Sequence, residues 1–208
     1  MALAIAGTEL DGDLTLPGQP LGVVLFAHGS GSSRRSPRNR MVAEALQRRG
    51  LGTLLVDLLT PEEELRDTID RELRFDIGFL ADRLIGLTDW LTGRDETARL
   101  PIGLFGASTG AAAALVCAAS RPDRVRAVVS RGGRPDLAGP ALGQVEAPTL
   151  MLVGGEDQAV LRLNEQARSV MTTTVELSVV PGATHLFEEP GTLDTVAEEA
   201  GTWFTTHL

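Results

Sequence analysis

Short apolar runs recur along the chain at positions 23–27, 51–56, 102–105, 125–129, 149–153 and 175–180, each flanked by turn residues. Runs this short, and nearly unbroken by polar positions, suit parallel strands buried on both faces. The opening segment differs: Gly12, then Pro17 and Gly18, separate its apolar pieces, which predicts an antiparallel hairpin at a sheet edge. Helix signals fall between the strands. Ser36 before Pro37 places an N-cap ahead of a proline at the first helical position, with Met41, Val42, Ala45 and Leu46 as the apolar face and Gly50 as the stop. Thr60, Pro61 and Glu63 repeat the start signal with a capping-box carboxylate. From Leu65 to Leu91 apolar residues recur every three or four positions, with Phe75 and Gly78 marking a bend, so one long helix or two consecutive helices are expected. Further helical stretches read at 108–119, 164–171 and 192–206, the first so rich in alanine that it can lie close on a sheet. Strands alternating with helices to the end predict an α/β fold occupying residues 1–208 as one domain.

Composition narrows the chemistry. All nineteen basic residues among the 208 are arginine, and there is no lysine and no tyrosine. A Schiff-base lysine, a P-loop lysine and a tyrosine acid are therefore excluded, and with them pyridoxal-phosphate enzymes and Walker-type nucleotidases. The net charge of −9 repels phosphate backbones and anionic lipid, so neither nucleic acid nor a membrane surface is the expected partner. One cysteine, Cys117, permits no intrachain disulfide and no cysteine-based metal cluster, and among the alanines of the 108–119 stretch it reads as packing. The first basic residue is Arg34, and no apolar run is long enough to span a bilayer, so neither a signal peptide nor a membrane span is read. The expected location is the cytoplasm, as a monomer or homodimer. His28, His185 and His207 are too few and scattered for a histidine-rich metal site.

The chemistry concentrates at the ends of the predicted strands. Gly106-Ala107-Ser108-Thr109-Gly110 lies between the 102–105 run and the alanine-rich helix. That is the strand–turn–helix setting of a G-x-S-x-G nucleophile elbow, which presents the serine oxygen at the carboxyl edge of a sheet. A serine hydroxyl needs a histidine base and a carboxylate that fixes its tautomer, in the chain order serine, acid, histidine. Asp157 follows the 149–153 run and His185 follows the final strand, so both fall on the same sheet edge as Ser108. Glu156 and Asp57 are competing choices for the acid. The loop after the 23–27 run reads His28-Gly29-Ser30-Gly31-Ser32-Ser33, rich in free amides, and Ser30 is chosen there as the second oxyanion donor beside the amide of Thr109. His28 is expected to order this turn by hydrogen bonding. Arg34 and Arg38, in a cluster with Arg35 and Arg40, are candidates to attract a substrate carboxylate, with ion pairing to the acidic surface as the alternative. Glu188 and Glu189 read as a charge pair at a helix start.

The HGSGSS loop, the GASTG elbow, the GGEDQ acid loop and the PGATHLF histidine loop, in that order, resemble the α/β-hydrolases of the dienelactone-hydrolase-like group over essentially the whole chain. The resemblance implies a mostly parallel sheet with helices on both faces and a Ser108–His185–Asp157 triad needing no metal or cofactor. Dienelactone hydrolases proper carry cysteine at the elbow, and Ser108 in its place favours small carboxylic esters over lactones. Only nineteen residues, 130–148, separate the 125–129 run from Thr149. No large cap fits there, so an open site is expected, with the 62–74 segment as a partial rim. The group includes copies linked to phosphoribosyltransferase-like domains, which keeps a non-catalytic accessory module as the alternative class. A thioesterase, lactonase or acyltransferase would use the same three residues.

Overall fold

The computed structural model describes residues 1–5 and 7–208. Eight strands, β1 (Ala2–Ile5), β2 (Thr8–Thr15), β3 (Val23–Ala27), β4 (Gly52–Val56), β5 (Ile102–Ala107), β6 (Val125–Arg131), β7 (Thr149–Gly154) and β8 (Val175–Val180), form one sheet in the order β1-β2-β4-β3-β5-β6-β7-β8. β1 and β2 make the edge hairpin, β2 runs antiparallel to β4, and every later pairing is parallel. The near-continuous apolar runs of β3 to β7 are explained by burial on two sides: in β3, Val23, Leu25 and Ala27 enter one core while Val24 and Phe26 enter the other. The 175–180 run departs from that expectation, because β8 is an edge strand and leaves Val179 exposed.

Among the described residues there are six α-helices: α1 (Pro37–Arg48), α2 (Pro61–Asp70), α3 (Ile77–Thr92), α4 (Thr109–Ser120), α5 (Gln158–Val170) and α6 (Thr192–His207). α1 and α6 pack together over one face, and α3 and α4 over the other. The caps read from sequence form as expected. Ser36 Oγ accepts from the Asn39 amide, and at α2 the reciprocal box closes between Thr60 and Glu63. Cys117 is fully buried on α4 against Thr88, and its thiol is pushed up to about 12 by burial, so it packs and does not react.

The 65–91 stripe does not behave as one face. Arg71 adopts a left-handed conformation that ends α2, and a 3-10 turn at Leu73–Phe75 leads into α3, whose N-cap is Asp76. α3 buries Leu80, Leu84, Leu87 and Leu91, whereas Leu65 and Ile69 of α2 remain 71% and 84% exposed. What α2 buries is Asp67, whose carboxylate takes the guanidinium and the amide of Arg74 returning from beyond the reversal. The segment after β6 forms only short turns over Pro135–Gln144, kinked at Gly139, which pack on α4 and α5. Among the described residues no cap domain covers the sheet edge. Among the described residues, no helix is long and apolar enough to cross a membrane.

Candidate active site

Ser108 sits between β5 and α4 at φ 51°, ψ −120°, a strained conformation for a residue with a side chain. The turn is possible because its neighbours are glycines. A Cβ on Gly106 would lie 2.4 Å from Ala111 Cα, and one on Gly110 would lie 2.3 Å from the carbonyl oxygen of Ala27. The strain is held by three backbone bonds: the Ser108 amide donates to the Arg131 carbonyl of β6, and its carbonyl accepts from Ala111 and Arg134. α4 starts at Thr109, so the positive end of its dipole and the free Thr109 amide adjoin the serine.

The acid and the histidine are joined. His185 Nδ1 donates to Asp157 Oδ2 over 2.7 Å, which leaves Nε2 as the acceptor nitrogen. Asp157 has a second duty as N-cap of α5, where its Oδ1 accepts from the Val160 amide. Its loop is tied to the histidine loop through Gly155 N–H to Val180 O and Glu156 N–H to Ala183 O. Glu156 therefore contributes its backbone, not its carboxylate. The histidine loop is anchored by fully buried Phe187 and by Glu189, whose carboxylate accepts from both the amide and the hydroxyl of Thr184. Glu188 pairs with Arg38, and α6 begins only at Thr192, so the two glutamates are loop clamps and not the helix-start pair that their sequence suggested.

Ser30 lies beside the elbow. Gly29 packs so closely that a Cβ there would be 3.1 Å from both Ala107 O and Ser108 Cβ. The Ser30 amide donates to Thr109 Oγ1 over 3.1 Å, so it points at the start of α4 but is engaged by that hydroxyl. His28 orders the turn as expected: the Leu58 amide donates to Nε2, and Nδ1 donates to the Gly29 carbonyl. Burial lowers its pKa below 6.5, which keeps the ring neutral in this role.

The arginine cluster divides. Arg34 does not line the site; its guanidinium is drawn to Asp57, Asp11 and Asp13, tying the Ser30 loop to β2 and to the end of β4. Asp57 is thereby occupied and is not the histidine's partner. Arg38 does reach the site, sharing an open cleft of about 600 Å³ with Ser108 and His185. A further lining residue, Arg131, was not singled out from sequence. It closes β6, two residues past the run that marked that strand, and only the length of the strand brings it to the edge. Among the described residues no hydrogen bond joins Ser108 to His185 in this conformation, although both line that cleft; such bonds commonly tighten only with substrate in place.

The sheet order, the elbow and the acid and histidine loops at one sheet edge define an α/β-hydrolase fold. The chain belongs to the dienelactone hydrolase family, whose model matches residues 10–204. A solved dienelactone hydrolase from Anabaena variabilis is 57% identical, with a TM-score of 0.98 over 100% of this chain and 96% of that one. Est1E from Butyrivibrio proteoclasticus shares the fold at 16% identity and a TM-score of 0.82, over 99% of this chain and 97% of its own. A Mycobacterium tuberculosis protein provisionally named a phosphoribosyl transferase is 62% identical over 197 residues, which are 95% of this chain but 44% of that protein. The chain thus spans less than half the length of that relative.

Proposed function

We propose that this chain is a serine hydrolase that cleaves small carboxylic esters. The observation that carries the reading is the strained elbow of Ser108 opening on the same cleft as the Asp157–His185 pair. His185 Nε2 takes the Ser108 proton as the oxygen attacks the ester carbonyl carbon. The oxyanion so formed is held by the amides of Thr109 and Ser30, the latter released from the Thr109 hydroxyl. One such donor stabilises a transition state by roughly 2.7–4 kcal/mol. The ester C–O bond then breaks, the leaving alcohol takes the proton from His185, and an acyl group remains on Ser108. Water, deprotonated by His185, repeats the attack and frees the acid and the serine. Asp157 stays ionised throughout and stabilises the imidazolium.

A second reading, an accessory module without catalysis, draws on the phosphoribosyl transferase name of the longer mycobacterial relative. Fluorophosphonate labelling separates the two. The hydrolase labels and turns over short aryl esters, and Ser108→Ala abolishes both. Wild-type protein that neither labels nor turns over any ester is the module.

A further inference from the structure

The cleft contains a charge that the hydrolytic steps do not use. Arg131 is 7% exposed, and its Nε and Nη1 are sealed from solvent without a hydrogen-bond partner, yet the residue lines the wall shared by Ser108 and His185. A guanidinium is always charged at neutral pH and its desolvation is costly unless an anion compensates it. Among the described residues no carboxylate pairs with Arg131. Its charged neighbour is a second cation, Arg38, and burial together with that repulsion brings its pKa down to about 10.

Arg38 is also incompletely satisfied. Its Nη1 donates to Glu188, while its Nε is buried without a partner. Arg35 adds a third guanidinium on the same wall, and α1 enters the cleft at Pro37 with no acidic residue in its first turn. Against these cations Glu64 is the carboxylate on the lining. In a chain of net charge −9, this concentration of positive charge is local and specific.

We infer that Arg131 and Arg38 form an anion subsite beside Ser108, and that the ester this site takes carries a phosphoryl group on the part held there. A carboxylate has two oxygens, which one guanidinium fork satisfies. Here the buried guanidinium of Arg131, the half-buried one of Arg38, a third from Arg35 and the N-terminus of α1 line one cleft, a donor set suited to the three terminal oxygens of a phosphate monoester. The inference rests on the ester-hydrolase reading, and the experiment tells the failure of one from the failure of the other.

Turnover of acetoxyethyl phosphate, acetoxypropanoate and neutral acetoxyethyl methyl ether by the full chain is the test, with inorganic phosphate as a separate binding probe. The phosphorylated ester is expected to exceed the neutral one in kcat/KM by about ten- to a hundred-fold, the range of one or two charge-assisted hydrogen bonds, chiefly through KM. Arg131→Gln and Arg38→Gln each lower that ratio by about tenfold. Arg38 is on a half-buried surface position, so its variant carries the test if the Arg131 variant does not fold. Calorimetric titration of Ser108→Ala with inorganic phosphate shows saturable binding that the added Arg131→Gln change weakens about tenfold. Equal kcat/KM for the three esters, a preference for the carboxylate, or a ratio unmoved by both variants overturns the inference. If no ester is cleaved, the hydrolase reading fails, and the titration alone then decides the anion subsite.

Discussion

At the scale of single residues, Asp157 carries two loads with its two oxygens. Oδ2 holds the His185 ring and Oδ1 caps α5. Asp157→Asn keeps an oxygen for the cap but offers the ring an amide in place of a charge, so the wrong tautomer of His185 is favoured. Ester turnover is expected to fall by about 10⁴-fold with the denaturant midpoint little changed. Asp157→Ala loses the cap as well and is expected to cost about 1 kcal/mol of stability in addition. Equal stability losses in the two variants would show that the cap is not worth what its geometry suggests. The placement of Ser108, Asp157 and His185 at one sheet edge was legible in the sequence because each lies three to five residues beyond a run of apolar positions. Arg34 was not. Four arginines in seven residues look alike in sequence, and only the positions of Asp11, Asp13 and Asp57 decide that Arg34 becomes a clamp while Arg38 reaches the cleft.

Among the elements, α2 and the Ser30 loop depend on buried polar contacts. Burial alone would raise the Asp67 pKa, but the hydrogen bonds and charge of Arg74 hold it below the usual carboxylate range. Arg74→Met strands a carboxylate that is 1% exposed, and a loss of about 3–5 kcal/mol in denaturant unfolding is expected. Asp67→Leu combined with Arg74→Met recovers much of it, since the uncompensated charge is gone; a cost below about 1 kcal/mol for the single change would refute the account. His28 gives a pH dependence of known sign. Its folded pKa lies below 6.5 because burial disfavours the imidazolium, so the unfolded chain binds the proton first. This contribution is complete above the unfolded value and is lost as pH falls below it. Unfolding midpoints measured from about pH 7 down to pH 5 should decline, and less steeply in His28→Gln, whose amide oxygen can still accept from Leu58. The periodicity of 65–91 correctly allowed two consecutive helices and misled only on burial in the first. A stripe shows which residues share a face, but the reversal at Arg71 decided which face met the sheet.

For the whole molecule, the absence of a cap over Pro135–Gln144 leaves the cleft open along the sheet edge, with the exposed α2 at its side. An open site offers little apolar wall to a long chain. Short aryl esters are therefore expected to be cleaved faster than long-chain triglycerides, and the reverse order in a chain-length series would contradict the open-site account. The sequence by itself determined the strand order of events: two-sided apolar runs, capped helices between them, and a serine, an acid and a histidine each placed just past a strand. Those are local properties, set by periodicity and turn chemistry within a few residues. Tertiary structure alone decided which charges meet. Asp157, not Asp57, faces His185; Glu188 and Glu189 clamp loops; and Arg131 arrives buried and unpaired beside Ser108. Pairings of this kind depend on distances between segments far apart in the chain, and these are fixed only when the sheet closes and both cores pack.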